Sequence, residues 1–133
     1  MTFVVVDASA LIDFLLQRAR AASLGAVIDS EEISLHVPAL CDVEILEVIR
    51  RALLARRLSV ERAQEAILDY RDLPLTQHGH AALMGRMLQL RANFSAYDAT
   101  YVALAERLDA ELLTADDTLV RAVRAHTALA VRT

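Results

Sequence analysis

Residues 2–6, TFVVV, constrain this chain more than any other stretch. They form a short, continuous apolar run rich in β-branched side chains, the pattern of a strand covered on both faces. Asp7 follows at the strand's C-terminal end, and Ser9 offers an N-cap for a helix beginning near Ala10. A two-faced strand that feeds a helix belongs in an open parallel sheet, where ligands collect beyond the strand C-termini. Asp7 is then a carboxylate placed where such folds do chemistry. Strand end and helix cap would account for it equally well, so the rest of the chain must decide.

The remaining sequence repeats the strand-to-helix alternation. A helical stretch rich in alanine and leucine is predicted from about Arg18 to Asp29, and a second strand over Ile33–Val37. Pro38 suits the first turn of the next helix, about Ala39 to Arg56, with Cys41, Ile45, Val48, Ile49 and Ala52 on one face. Ser59 caps a helix over 62–72, and Pro74 marks a short third strand, Leu73–Thr76. An amphipathic helix is expected over Gly79–Asn93. A further helix, capped by Ser95, should run to about Asp109 with Tyr101, Ala105 and Leu108 on one stripe. Glu111–Thr114 reads as the fourth strand, Asp116 as N-cap of a helix Thr118–Ala125, and Ala128–Val131 as a terminal strand. No linker or repeat interrupts this order, so one α/β domain over residues 1–133 is expected, with helices on both faces of a parallel sheet. Right-handed crossovers could then bring the ends of the first and fourth strands together, with Asp7 facing Asp116.

Composition narrows the function classes. Hydrophobic residues make up 56% of the chain, but charges break them up well short of the roughly 18 uninterrupted apolar residues of a membrane span. No export signal is recognisable, and the single cysteine, Cys41, fits a small core residue in a reducing cytoplasm. A net charge of −4 argues against gripping nucleic acid by bulk positive potential, but not against an acidic site neutralised by its own cations. The 14 basic residues are all arginine. Phosphate-accepting receiver domains and haloacid-dehalogenase-like phosphatases, which share an acidic pocket on a doubly wound sheet, rely on a lysine that this chain lacks.

Asp7, Glu44, Asp98 and Asp116 each lie near a strand end or on a helix beside one. Asp98 heads the apolar stripe of its helix, and a carboxylate aimed toward a core is unfavourable unless something offsets its desolvation. Glu44, at the edge of its helix face and about two turns from Arg51, also fits a solvated residue. Several carboxylates in one pocket repel one another and are tolerated with protons or cations. Hard oxygen ligands without paired cysteine or histidine select magnesium or manganese over zinc, and such ions serve phosphodiester hydrolysis.

Four stretches carry a resemblance: VVVDASALIDFLL, PALCDVEILEVIRR, SAYDATYVALAERL and ELLTADDTLVRA. In this order they resemble the PIN-domain ribonucleases, in particular the VapC-type toxins of toxin–antitoxin pairs, over essentially the whole chain. The resemblance implies a three-layer α/β/α sandwich with a short, mainly parallel central sheet. It implies a Mg2+- or Mn2+-dependent endoribonuclease that hydrolyses RNA with metal-activated water. Asp7, Glu44, Asp98 and Asp116 take the family's four acidic metal-site positions, with Ser9 and Thr114 where small hydroxyl residues often stand. A homodimer and a small antitoxin that blocks the site are implied as well. Periodicity alone would favour Asp42 over Glu44; the family pattern selects Glu44. Asp117 is an additional carboxylate whose part is open. Arg50, Arg51 and Arg91 are candidate phosphate contacts. His78 and His80 read as loop residues, and His36 and His126 as isolated ones. A non-catalytic interaction module retaining the acidic pocket is the alternative.

Overall fold

The computed structural model of the protein describes residues 1–18 and 21–133, with the backbone alone for 21–23. Strand β1 (Thr2–Val6) leads into α1 (Ala8–Leu15) and α2 (Ala21–Ile28). Strand β2 (Ile33–Pro38) is followed by α3 (Leu40–Leu54) and α4 (Val60–Asp72), then β3 (Leu75–His78). A single 3₁₀ turn (Ala81–Leu83) opens into α5 (Met84–Gln89), and α6 (Ala96–Leu108) precedes β4 (Glu111–Leu113). Helix α7 (Asp117–His126) and β5 (Val131–Arg132) complete the order.

The sheet is parallel throughout, in the order β3-β2-β1-β4-β5. Val4, Val5 and Val6 of the central strand have no exposed surface, as expected of β-branched side chains covered on both faces. Helix α1 packs on α2, α3 and α4, while α6 packs on β1, β2 and β4. The chain steps outward from β1 to β2 and β3, then returns to lay β4 on β1's other edge. That reversal opens a crevice beyond the C-terminal ends of β1 and β4. Val6 is in register with Leu113, and the Asp7 N–H donates to the Leu113 carbonyl at 3.0 Å. The expected meeting of the first and fourth strand ends is thus present.

Local signals explain most element ends. Ser59 Oγ accepts from the Arg62 N–H at 3.1 Å, Ser95 Oγ from the Asp98 N–H at 3.1 Å, and Asp116 Oδ1 from the Thr118 N–H at 2.9 Å. Five expectations shift. Asp7, not Ser9, is the N-cap of α1, because its side chain accepts from the Ala10 N–H. Pro38 closes β2 rather than opening α3; having no N–H, it leaves the next bond to Ala39, which donates to the His78 carbonyl at 2.8 Å. Pro74 delays β3 to Leu75–His78, and β5 forms at Val131–Arg132. The helix expected over Gly79–Asn93 is reduced to the 3₁₀ turn and α5, in a segment that two glycines weaken as helix. Part of the helix expected from Arg18 falls on residues 19 and 20, outside the described residues; α2 accounts for most of the remainder.

Helix α6 departs from a striped amphipathic helix. All seven residues from Ala99 to Ala105 are buried. Alanines at 99, 103 and 105 allow close approach on several sides, so this helix is apolar nearly all round and sits inside the molecule. Leu108, expected on the stripe, is only partly buried. Cys41 is fully buried, and burial pushes its thiol up to about 11, as befits a core residue and not a nucleophile.

His36 is not isolated. Its Nδ1 lies 2.9 Å from His78 Nε2 across β2 and β3, and its Nε2 lies 2.8 Å from Ser34 Oγ. Burial, then the neighbouring His78, lowers the His36 pKa from its ordinary 6.5. The unfolded chain therefore takes up a proton that the folded chain resists. This contribution to stability should be complete above pH 6.5 and decline as pH falls below it. Urea titrations of wild type and His36→Asn between pH 7.5 and 5.5, values spanning about one unit either side of an ordinary histidine, test this. The stability difference between the two proteins should shrink with acid, and a constant difference would contradict it.

Candidate active site

The site starts at the turn after β1. Asp7 is only 6% exposed, and both of its oxygens are engaged. Oδ1 accepts from the Ala10 N–H at 3.1 Å and the Ser9 hydroxyl at 2.7 Å, and Oδ2 accepts from the Thr114 hydroxyl at 2.6 Å. The two hydroxyl residues extend the network into the turn after β4. Ser9 Oγ accepts from the Ala115 N–H at 3.0 Å, and Thr114 Oγ1 from the Asp116 N–H at 3.0 Å. Asp7 is therefore cap and buried anion at once, and the same bonds fix the backbone that carries Asp116.

The other three carboxylates come from helix starts and one helix side. Asp98 stands in the first turn of α6, Asp116 is the N-cap of α7, and Glu44 lies in the second turn of α3. All four line one cleft of about 720 Å³. Glu44 Oε1 accepts from the Tyr101 hydroxyl at 2.6 Å, and Asp116 Oδ1 from the N–H groups of Thr118 and Leu119. Asp42 points elsewhere: it accepts from the Tyr70 hydroxyl at 2.7 Å and from Gln77 Nε2 at 2.9 Å. Two residues along a helix turn a side chain through about 200°, so Asp42 and Glu44 cannot share one cleft. Asp117 does not line it either.

Electrostatics link the four residues. Burial raises the Asp7 pKa, the bonds from Thr114, Ser9 and Ala10 lower it, and the Asp116 charge raises it again. Glu44 is raised by burial, lowered by Tyr101, and raised by the charges of Asp7 and Asp98. Asp98 is raised by burial and by Asp116, against a lowering bond from Ser95. The charge couplings Asp7–Asp116, Asp116–Asp98, Asp98–Glu44 and Glu44–Asp7 form a closed ring. Among the described residues no arginine forms an ion pair with any of them.

An all-carboxylate donor set in a partly buried cleft has the chemistry of a site for a hard divalent cation. Among the described residues no three acidic, histidine or cysteine groups already converge as a ligand cage. Closing round one ion would require side-chain rotations. Glu44 Oε2 and Asp116 Oδ2 have no hydrogen bond among the described residues and are the oxygens left to meet an ion.

Of the arginines singled out in the sequence, Arg51 lines the cleft, tethered to Glu47 at 3.5 Å. Arg50 pairs with Glu47, and Arg91 donates to the Leu88 carbonyl; neither lines the cleft. Arg18, Asp13 and Tyr97 do line it and were not among the candidates. Asp13 lies one helical turn beyond Ser9, so it shares that residue's face of α1. Tyr97 is the residue before Asp98. The histidines stand outside the cleft; His126 meets the Phe94 ring edge-on.

Comparison with known proteins places this geometry. The PIN domain family model matches residues 4–125. The chain is 43% identical over 113 residues to Ribonuclease VapC9 of Mycobacterium tuberculosis, covering 85% of each protein. It is 36% identical over 120 residues to Ribonuclease VapC3 of the same species, covering 90% of this chain and 86% of the relative. The fold is similar to the crystal structure of PAE2754 from Pyrobaculum aerophilum, with a TM-score of 0.75, 20% identity, and 98% of this chain and 83% of that one covered. It is also similar to Mycobacterium tuberculosis VapC20, a sarcin–ricin loop cleaving toxin, with a TM-score of 0.66, 17% identity, and coverage of 90% and 94%. VapBC2 from Rickettsia felis, solved with a DNA fragment from its promoter, matches with a TM-score of 0.69 and 12% identity, covering 98% of both chains. The chain with the valine-rich central strand and the ring of four carboxylates therefore belongs to the PIN-domain family, in its VapC branch.

Proposed function

We propose that this protein is a Mg2+- or Mn2+-dependent endoribonuclease, the toxin of a toxin–antitoxin pair. The observation that carries this reading is the convergence of Asp7, Glu44, Asp98 and Asp116 on one cleft. Relatives named ribonucleases support the choice of RNA as substrate. The four carboxylates would hold the ion. When bound, such an ion would offset negative charge on the phosphoryl oxygens and ease the loss of a proton from the attacking water. Asp7, with both oxygens fixed by Ser9, Ala10 and Thr114, is the rigid member of the set. Arg18 and Arg51 on the cleft wall are placed to meet the RNA backbone.

A partner antitoxin and a second copy of the chain are part of the proposal. The VapBC2 structure supports the first, as a toxin–antitoxin relative of the same fold. Val43, Leu46 and Leu54 on α3 and Val60 and Leu68 on α4 are large exposed apolar side chains that association would cover. Among the described residues no helix is long and apolar enough to cross a membrane, in keeping with a cytoplasmic site of action.

Cleavage assays on a synthetic RNA test the assignment. Asp7→Asn, Asp98→Asn or Asp116→Asn should each lower activity by roughly 10² or more, since metal stabilisation of a transition state is worth several kcal/mol. Glu44→Gln should fall with them and Asp42→Asn should not. Cleavage by purified Asp98→Asn at the wild-type rate would remove the reading and favour a non-catalytic binding module.

Thermal melts test the same site without cleavage. Raised carboxylate pKa values mean that the folded chain holds protons more tightly than the unfolded one, so stability is lost as pH rises through the folded values. In chelator at neutral pH, Asp98→Asn should therefore melt at or above the wild-type temperature. Manganese at a hundredfold excess over Kd should stabilise wild type by about 2.7 kcal/mol, a rise of several degrees, and stabilise the variant far less. An unchanged manganese response in Asp98→Asn would reduce Asp98 to a first-turn helix residue.

Sedimentation of the purified chain at micromolar concentration should show a dimer. A monomer that also binds no small partner would count against the association proposed.

A further inference from the structure

Tyr101 is the one aromatic side chain that reaches the carboxylate ring from inside the core. It is 2% exposed, one helical turn after Asp98 on α6, and its hydroxyl crosses to α3 to meet Glu44 Oε1 at 2.6 Å. We propose that Tyr101 is a positioning residue for Glu44, holding one carboxylate oxygen so that the other is presented to the ion in the cleft. The inference rests on the metal-dependent reading above and adds a residue that the four-carboxylate pattern does not contain.

Three features support it. Glu44 has the longest side chain of the four acids, and unlike Asp7 and Asp116 its carboxylate is anchored by neither a helix cap nor a strand-end turn. Its one hydrogen bond among the described residues is from Tyr101. A short O–H···O⁻ bond is charge-assisted and directional, so it selects one rotamer from many. In that bond the Tyr101 hydroxyl is the donor and the Glu44 carboxylate the acceptor. Finally, the bond spans two helices. Asp98 and Tyr101 share a face of α6, so tying Glu44 to Tyr101 also sets the separation of Glu44 from Asp98. Partners that orient a metal's ligands are typically worth 10–100-fold in metal affinity or activity.

The alternative is a core tyrosine whose hydroxyl only satisfies itself on a nearby acceptor. Manganese titrations of the full chain, read by melting temperature and by calorimetry, separate the two using wild type, Tyr101→Phe, Glu44→Gln and the double variant. Tyr101→Phe should raise the manganese concentration for half-maximal stabilisation about tenfold in the wild-type background. In the Glu44→Gln background it should change it little, because the bond has no anion to position. Cleavage at saturating manganese should follow, with kcat lowered and KM for RNA unchanged. Equal losses in both backgrounds, or a wild-type titration from Tyr101→Phe, would overturn the proposal. If Tyr101→Phe does not fold, the tyrosine absorption difference on adding manganese decides. Measured in a Tyr97→Phe carrier, to silence the exposed cleft tyrosine, it should appear and should vanish with Glu44→Gln; its absence also overturns the proposal. A wild-type protein indifferent to manganese would instead remove the nuclease reading itself, and this one with it.

Discussion

A single buried anion organises this molecule. Asp7 ends the central strand with almost no exposure to water, and an ionised carboxylate there is tolerable only if the protein supplies the lost hydration. It does so with two hydroxyls and a backbone N–H. Those donors come from both chain turns that flank the crevice, so satisfying the charge also fixes the crevice. Thr114 is fully buried, and Ser9 and Thr114 each accept from the backbone of the opposite or adjacent turn while donating to Asp7. Removing the Thr114 hydroxyl would take from Asp7 Oδ2 and from the Asp116 N–H the partner that Thr114 gives each of them.

The remaining acids are arranged against the folding interest of the isolated chain. Glu44 and Asp98 are raised by burial and by their neighbours' charges, and the described residues place no arginine in contact with either. A fold selected only for stability would separate these charges or pair them. This one instead pairs its cleft arginines with other acids, Arg18 with Asp13 at 3.9 Å and Arg51 with Glu47 at 3.5 Å. Among the described residues, the ring is left without an internal counter-ion. Perturbed carboxylates gathered in a cleft mark functional sites for this reason.

Much of this was legible in the sequence where the signals are local. The β1 run was readable residue by residue, and Ser59, Ser95 and Asp116 cap the helices their positions suggest. The alternation of elements was enough to place the ends of β1 and β4 together. The illegible parts are those fixed by distant partners. Periodicity favoured Asp42 over Glu44, because it cannot tell which side of α3 faces the crevice and which faces Tyr70 and Gln77. His36 looked solitary because its partner lies 42 residues away on an outer strand. Helix α6 looked striped because small residues hide how many sides are packed. Tyr101 read as core, which it is; its hydroxyl acquires meaning only from Glu44, 57 residues earlier.

Charge distribution explains how a chain of net charge −4 could still handle a polyanion. Bulk attraction is not available to it, so the phosphate backbone must be met locally. The cleft offers that in two layers. One is the acidic ring, which would repel phosphate unless a cation neutralised it; the other is Arg18 and Arg51, which line the same cleft, each already close to an acid. An exposed pair of this kind is weak, so exchanging Glu47 or Asp13 for a phosphate oxygen loses little. Substrate affinity would then depend first on occupancy of the ring and only second on the arginines.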